Sequence, residues 1–360
     1  MRILIDIGHP AHVHLFKHFA WEMMAKGHDI LFTCREKEFE IELLKQCGFT
    51  YKSFGKKYKS TLGKILGMIE FDVKELIAGI KFKPDVFLSH GSMYAAHAAF
   101  LMRKPHIAFE DTYNLEQVRL YLPFTIQVLT SDYDHPIKSN KVIKYAGYHE
   151  LAYLHPNRFT PDKSVLKELG VIEGEKFVII RFVSWNASHD IGHKGISSEK
   201  KLKAIEEFSK VAKVFISSES ELPNKLEKYR VRIEPHRMHD AIAFASLVFG
   251  ESSTMAEEAA MLGVPSVYIF NNSTFYTTHL EKEYRLMYNY SESIEGQQNA
   301  IEKGIEILKS SGLREEWQAK REKMLNDKID VTAFLVWFIE NYPQSAKIMK
   351  ENPNYQYNFK

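Results

Sequence analysis

A chain of 360 residues exceeds one comfortable hydrophobic core, so two domains are expected, and a composition of 45% hydrophobic and 26% charged residues supplies the apolar surface to build them. The balance of 48 basic against 46 acidic side chains, a net +2, excludes the basic footprint of a nucleic-acid binder. Two cysteines, Cys34 and Cys47, make neither a disulfide framework nor a zinc-binding spacing, and no run of about 18 apolar residues offers a bilayer span.

In chain order, Arg2-Ile-Leu-Ile-Asp-Ile is too short for the apolar core of a signal peptide and reads as a strand over 3–7, which points to a cytoplasmic location. A helix is predicted over 13–25, a strand over 29–33 and a helix over 36–46 closed by Gly48. After a basic stretch comes a long helix over 62–80, stopped before Pro84, then strand 86–89, helix 93–102 and strands 106–109 and 125–129. A linker at 156–161 leads to helix 163–169 and strand 177–182. Helix 198–211, strand 214–217, helix 239–245, strand 247–250, helix 254–262 and strand 266–270 follow, and helices are predicted over 297–309, 313–325 and 331–340. Strands alternating with helices imply parallel sheets with right-handed crossovers. The expected architecture is α/β: two Rossmann-like domains, 1–150 and 151–329, facing a cleft, with the C-terminal segment 330–360 packing back on the first.

The segment Gly250-Glu-Ser-Ser-Thr-Met-Ala-Glu-Glu-Ala-Ala-Met-Leu-Gly-Val-Pro265 runs from a strand through a small polar loop into a helix. Backbone N–H groups and the positive dipole end at such a start suit a pyrophosphate. Ser252, Ser253 and Thr254 add hydroxyl donors, and Glu257 or Glu258 could accept from both ribose hydroxyls. The same residues also make an ordinary helix start, because Ser and Thr cap and Glu favours the first turn.

Other groups suit the remaining chemistry. His9, His12 and His14 crowd the loop after the first strand, where imidazole could act as a general base or merely finish a helix end. His12 and His14 point different ways on a helix and no carboxylate has matching spacing, so no metal site is expected. The stretch from Arg181 to Gly195 packs Arg181, Ser184, Asn186, His189, Asp190, His193 and Lys194 into one long connection, more polar groups than a plain surface loop needs. Glu110 and Asp111 end a strand, where a carboxylate could take a proton. Gly147-Tyr-His-Glu150 reads first as a hinge, with His149 and Glu150 as possible acceptor contacts. Met238 precedes a helix and could cover a base. Lysines 52, 56, 57, 59 and 64 among Tyr51, Phe54, Tyr58 and Leu62, followed by apolar Ile65, Leu66, Met68, Ile69 and Phe71, form either a lysine loop beside a core-facing helix or a peripheral membrane contact over 51–71.

The string from Glu251 to Pro265 resembles the donor-site segment of GT-B glycosyltransferases and UDP-N-acetylglucosamine 2-epimerases. The resemblance implies phosphate held by the small-residue loop and ribose by the Glu seven residues before the proline, which is Glu258. His12 matches the loop histidine of the lipid-intermediate N-acetylglucosaminyltransferases, and Glu110 matches a catalytic Glu of the 2-epimerases. Ser92 stands where the epimerases carry Asp. With Asp6-Ile-Gly-His-Pro-Ala-His-Val-His14, Ala108-Phe-Glu-Asp111, Tyr145-Ala-Gly-Tyr-His-Glu150 and the Arg181–His193 segment, the chain is more closely similar to the domain of unknown function 354 family. The resemblance implies a metal-independent transferase with no cofactor, using a nucleotide sugar (UDP) as donor substrate and a polysaccharide or lipid-linked acceptor. His12 and Glu110 would be catalytic. Arg181, Ser184, His189, His193, Lys194, Met238, Ser252, Ser253, Thr254 and Glu258 would bind the donor. His9, His14, Asp111, His149 and Glu150 would lie on the acceptor side. Epimerase or hydrolase activity, and a non-catalytic nucleotide-sugar-binding protein, are the alternatives.

Overall fold

The computed structural model describes residues 1–37, 39–56, 58, 61–182, 195–218, 221–271 and 274–360, without the side chains of 61, 62, 64 and 65. Two compact units result: Met1–Arg158 together with Lys328–Lys360, and Phe159–Asp327.

The first unit holds a seven-stranded sheet of β1 (Arg2–Ile7), β2 (Asp29–Glu36), β3 (Tyr51–Lys56), β4 (Val86–His90), β5 (His106–Glu110), β6 (Gln127–Ser131) and β7 (Val142–Tyr145), in the order β3-β2-β1-β4-β5-β6-β7. Every pairing is parallel. Its central strands are continuous apolar runs because helices cover both faces. The helix Pro10–Ala25 shows how the cover is made. Pro10 occupies the first turn, where its missing N–H costs nothing. Val13, Phe16, Ala20 and Met23 recur at helical spacing and are buried, and the helix ends before Gly27, whose φ of 83° suits glycine. From the C-terminal segment, Val331–Glu340 packs on Pro10–Ala25 and on Leu151–Leu154. Gly147 is small because a Cβ there would sit 2.6 Å from Val331 Cγ2.

The second unit carries β8 (Phe177–Phe182), β9 (Lys213–Ser218), β10 (Leu247–Gly250), β11 (Ser266–Ile269) and β12 (Met287–Tyr290), all parallel, in the order β12-β11-β10-β8-β9. Val178, Ile180, Phe208, Leu247, Phe249 and Ile301 are among its buried core.

Each sheet has one place where successive connections leave in opposite directions: between β1 and β4 in the first unit, and between β8 and β10 in the second. Open parallel sheets bind ligands outside the strand carboxyl ends at such switch points. Ile7 and His90 end the first pair of strands, and Phe182 and Gly250 the second.

Several elements differ from expectation. The strand expected to stop at 33 continues to Glu36, and the helix starts only at Glu40. Arg35 is the reason, since its guanidinium binds Asp6 and the Ile7 carbonyl and holds the chain extended. The basic stretch opens as edge strand β3, and β7, β12 and the helix Leu115–Tyr121 were not expected. The helix Thr61–Phe82 buries Phe71 but exposes Leu66 and Ile69, so it is not simply core-facing.

Candidate functional site

At the first switch point a floor of buried polar groups lies under the loop. Arg35 Nη1 donates to Asp6 Oδ1 at 2.7 Å and Oδ2 at 3.0 Å, Thr33 Oγ1 donates to Asp6 Oδ1 at 3.1 Å, and Ser92 Oγ donates to Asp6 Oδ2. Ser92 also caps the helix Met93–Leu101. Where the epimerases carry an acid, this chain has a hydroxyl committed to structure. Burial, with Asp6 close by, raises the Glu75 carboxyl well above the usual range, and Glu75 shares Thr33 Oγ1 with Asp6.

Above that floor stand the histidines. His9 caps the helix Pro10–Ala25, its Nδ1 accepting from Ala11 N at 3.1 Å. His12 Nδ1 accepts from Gly8 N at 3.2 Å, and its ring stacks on His90 with centroids 4.4 Å apart. Burial, then His90 and His9, push the His12 pKa well below 6.5, so the ring is neutral. An Nδ1 that accepts leaves the proton on Nε2, which makes the far side of His12 a donor. His14 is half-buried, 5.4 Å from the Tyr153 ring.

Glu110 and Asp111, adjacent in sequence, have separate tasks. Glu110 is buried: Oε1 accepts from Tyr113 N at 2.8 Å and Oε2 from Tyr121 Oη at 2.7 Å. Asp111 instead faces two imidazoles, His90 Nε2 at 2.8 Å from Oδ1 and His149 Nδ1 at 2.8 Å from Oδ2. Burial opposes the Asp111 charge, but His149 and His90 outweigh it and hold the carboxyl well below the usual range. For His90, burial lowers the pKa, and the charge and hydrogen bond of Asp111, helped by Glu110, raise it to about 9. His149 and Glu150 lie in a turn buried inside the first unit, rather than where the chain passes between units at Arg158. Sequence spacing had not joined His90 to this group. Its ligand-capable atoms come from the ends of β4 and β5 and the turn after β7, so only the sheet order reveals them.

At the second switch point β8 and β10 come unusually close. Gly250 has φ 146°, and a Cβ there would lie 2.1 Å from the Arg181 carbonyl oxygen. Arg181 Nη1 donates to Ser217 Oγ at 3.0 Å. Ser252 caps the helix Ser253–Met261, accepting from Met255 N at 3.4 Å. Ser253 and Thr254 open that helix half-buried, and Tyr276 Oη lies 3.4 Å from Ser253 Oγ. The helix ends at Gly263, where Gln318 and Arg321 take up its last carbonyls. Glu258 is buried, with Oε1 2.9 Å from His239 Nε2. Met238 begins the helix Met238–Phe244, next to that histidine and half-buried. His239 had no sequence signal, because it and Glu258 lie on different helices. Ser184, His189, His193 and Lys194 fall outside the described residues. A pocket of about 540 Å³ near Lys176, Ser246 and Pro265 opens at the strand amino ends, away from this junction.

The fold has many solved relatives at low identity. MnaA from S. aureus, in its co-structure with UDP, is 13% identical with a TM-score of 0.66, covering 96% of this chain and 97% of its own. UDP-GlcNAc 2-epimerase from Neisseria meningitidis, bound to UDP-GlcNAc, is 15% identical with a TM-score of 0.64, covering 91% and 100%. The spinosyn rhamnosyltransferase SpnG, complexed with thymidine diphosphate, is 13% identical with a TM-score of 0.61, covering 95% and 100%. Their likeness establishes the fold: two Rossmann-like units of the kind found in GT-B glycosyltransferases and 2-epimerases. No curated protein matches the sequence. Matching over residues 1–329, the chain belongs to the family described as protein of unknown function (DUF354).

Proposed function

We propose that this protein is a GT-B-type glycosyltransferase that moves a sugar from a UDP-linked donor to a polysaccharide or lipid-linked acceptor. The observation that carries the reading is the junction at Gly250, where a glycine-only approach of two strands opens into a serine-capped helix at the sheet's switch point. Ser252, Ser253 and Thr254 would meet the diphosphate, and Glu258, steadied by His239, the ribose. Met238 would cover the base, and Arg181, with Ser184, His189, His193 and Lys194, would offset the charge of the departing diphosphate.

The polar cluster of the first unit would handle the acceptor. The acceptor hydroxyl loses its proton, its oxygen bonds to the anomeric carbon, and the bond from that carbon to the diphosphate breaks, the electron pair leaving with the phosphate. Asp111 is the partly exposed carboxylate of that cluster, set between His90 and His149, whereas Glu110 is buried and held by Tyr113 and Tyr121. Glu110 is then a positioning residue, and His12 offers its Nε2–H group to the acceptor, with the His9 ring beside it. His14 and Glu150 would line the same side less directly.

Epimerisation is the weaker reading, because Ser92 cannot act as an acid–base group and its hydroxyl is tied to Asp6. Incubation with UDP-N-acetylglucosamine and no acceptor separates the two. A transferase leaves the sugar's configuration at C2 unchanged, and the appearance of the C2 epimer would overturn the transferase reading.

A lipid-linked acceptor fits one further surface. Leu66, Ile69, Val73, Ile77 and Ile80 are each more than 40% exposed and form one stripe along the helix Thr61–Phe82, following the lysine-rich stretch. We propose that this stripe rests on anionic lipid. Among the described residues no helix is long and apolar enough to cross a membrane.

A further inference from the structure

We propose that His90 Nε2, the Asp111 carboxylate and His149 Nδ1 bind one divalent ion of the zinc type, which holds the acceptor oxygen. These atoms all lie within 4.8 Å of one another. They come from three separate elements of a rigid sheet, the ends of β4 and β5 and the turn after β7, so the group is built by the fold rather than by one flexible loop. Two imidazole nitrogens with one carboxylate favour zinc and its transition-metal neighbours over magnesium or calcium, which prefer oxygen. Three protein ligands leave a fourth position for water or a substrate hydroxyl.

The surroundings suit such an ion. His149 is buried, with Phe109 and Tyr145 rings at 5.8 and 6.3 Å, and among the described residues its Nε2 has no hydrogen-bond partner, so Asp111 is the group that fixes the ring through Nδ1. His90 is braced by the His12 ring stacked on it. His90 and Asp111 keep partial exposure, which gives the ion a route in and the open position a side to face. A tetrahedral ion with bonds of about 2.0–2.1 Å separates its ligand atoms by roughly 3.3 Å. The N···O contacts of 2.8 Å, which reach the two carboxylate oxygens separately, would open by about 0.5 Å, and the widest pair, within 4.8 Å, would close by up to about 1.5 Å as the ion replaces the ring N–H protons. A hydroxyl bound there loses its proton to water more readily, because the ion stabilises the alkoxide. The ion site stands on the first unit alone. Only its role toward the acceptor rests on the proposed transfer reaction.

The test uses the full chain, stripped with chelator and titrated with Zn²⁺ or Co²⁺ by calorimetry and visible absorption. One equivalent should bind with release of protons, and Co²⁺ should show the intense bands of a tetrahedral site. Asp111→Asn and His149→Ala should each weaken binding about 100-fold, whereas His97→Ala, which removes a separate His–Asp pair, should not. If a variant fails to fold, a zinc-dependent rise in the Tm of the native chain, reversed by chelator, gives the same reading. Absence of stoichiometric binding and of that rise, or binding untouched in folded variants, would overturn the site and leave a His–Asp–His hydrogen-bonded relay. UDP binding by metal-free protein is measured separately, so loss of the ion site and loss of the donor reading cannot be confused.

Discussion

At Gly250 one missing Cβ lets the β10 backbone lie against the Arg181 carbonyl. Gly250→Ala should therefore cost about 2–4 kcal/mol, from the 2.1 Å clash and from a φ of 146° that side chains rarely adopt, read as a lower urea midpoint with unchanged slope. A stability unchanged within 0.5 kcal/mol would contradict the close approach. The glycine was legible in the sequence as a strand end before a polar loop. The contact requiring it was not, because Arg181 lies on another strand. Glu110 and Asp111 make the same point. As neighbours in sequence either could take a proton, and the resemblance favoured Glu110; only the positions of Tyr121, His90 and His149 show one bonded to a tyrosine and the other set between two imidazoles.

At the scale of elements, what was missed has one physical cause. β3, β7 and β12 are all sheet-edge strands, half solvated, and so lack the continuous apolar run that identified β1, β4, β8 and β10. β3 carries lysines, which protect an edge from further pairing and which made it look like a loop. The helix Thr61–Phe82 was legible as a helix, but which of its apolar residues face inward was not. Its exposed stripe gives a prediction: the protein should cosediment with vesicles containing anionic lipid, and Leu66→Ser with Ile69→Ser should reduce the bound fraction at least fivefold while leaving the melting curve nearly unchanged. Equal binding of the double variant would assign the stripe to another partner.

Across the whole molecule, stability should fall in acid for an identifiable reason. His106 is wholly buried, with Thr125 Oγ1 2.8 Å from Nδ1 and Ser89 Oγ 2.8 Å from Nε2. Thr125 donates onward to the Tyr121 carbonyl, so His106 carries its proton on Nδ1 and accepts from Ser89 at Nε2. Burial, then His97, lower its pKa to about 3. The unfolded chain, with an ordinary histidine near pH 6.5, binds a proton that the folded chain refuses between those values. The contribution of His106 to stability is thus complete above about pH 6.5 and declines by up to ~1.4 kcal/mol per pH unit as pH falls toward 3. His106→Gln should flatten that slope in urea melts between pH 7 and 4, and an identical slope would remove His106 as its source.

The two switch points were legible as loops rich in histidine and in serine, yet their standing as sites depends on strand order, which no local pattern encodes. The central claim concerns the second of them, and calorimetry with UDP tests it most directly. UDP should bind the full chain with a Kd in the micromolar range, and Glu258→Gln should weaken it tenfold or more while the protein stays folded. If UDP, GDP and TDP all fail to bind, the nucleotide-sugar reading of the Gly250–Pro265 segment is wrong.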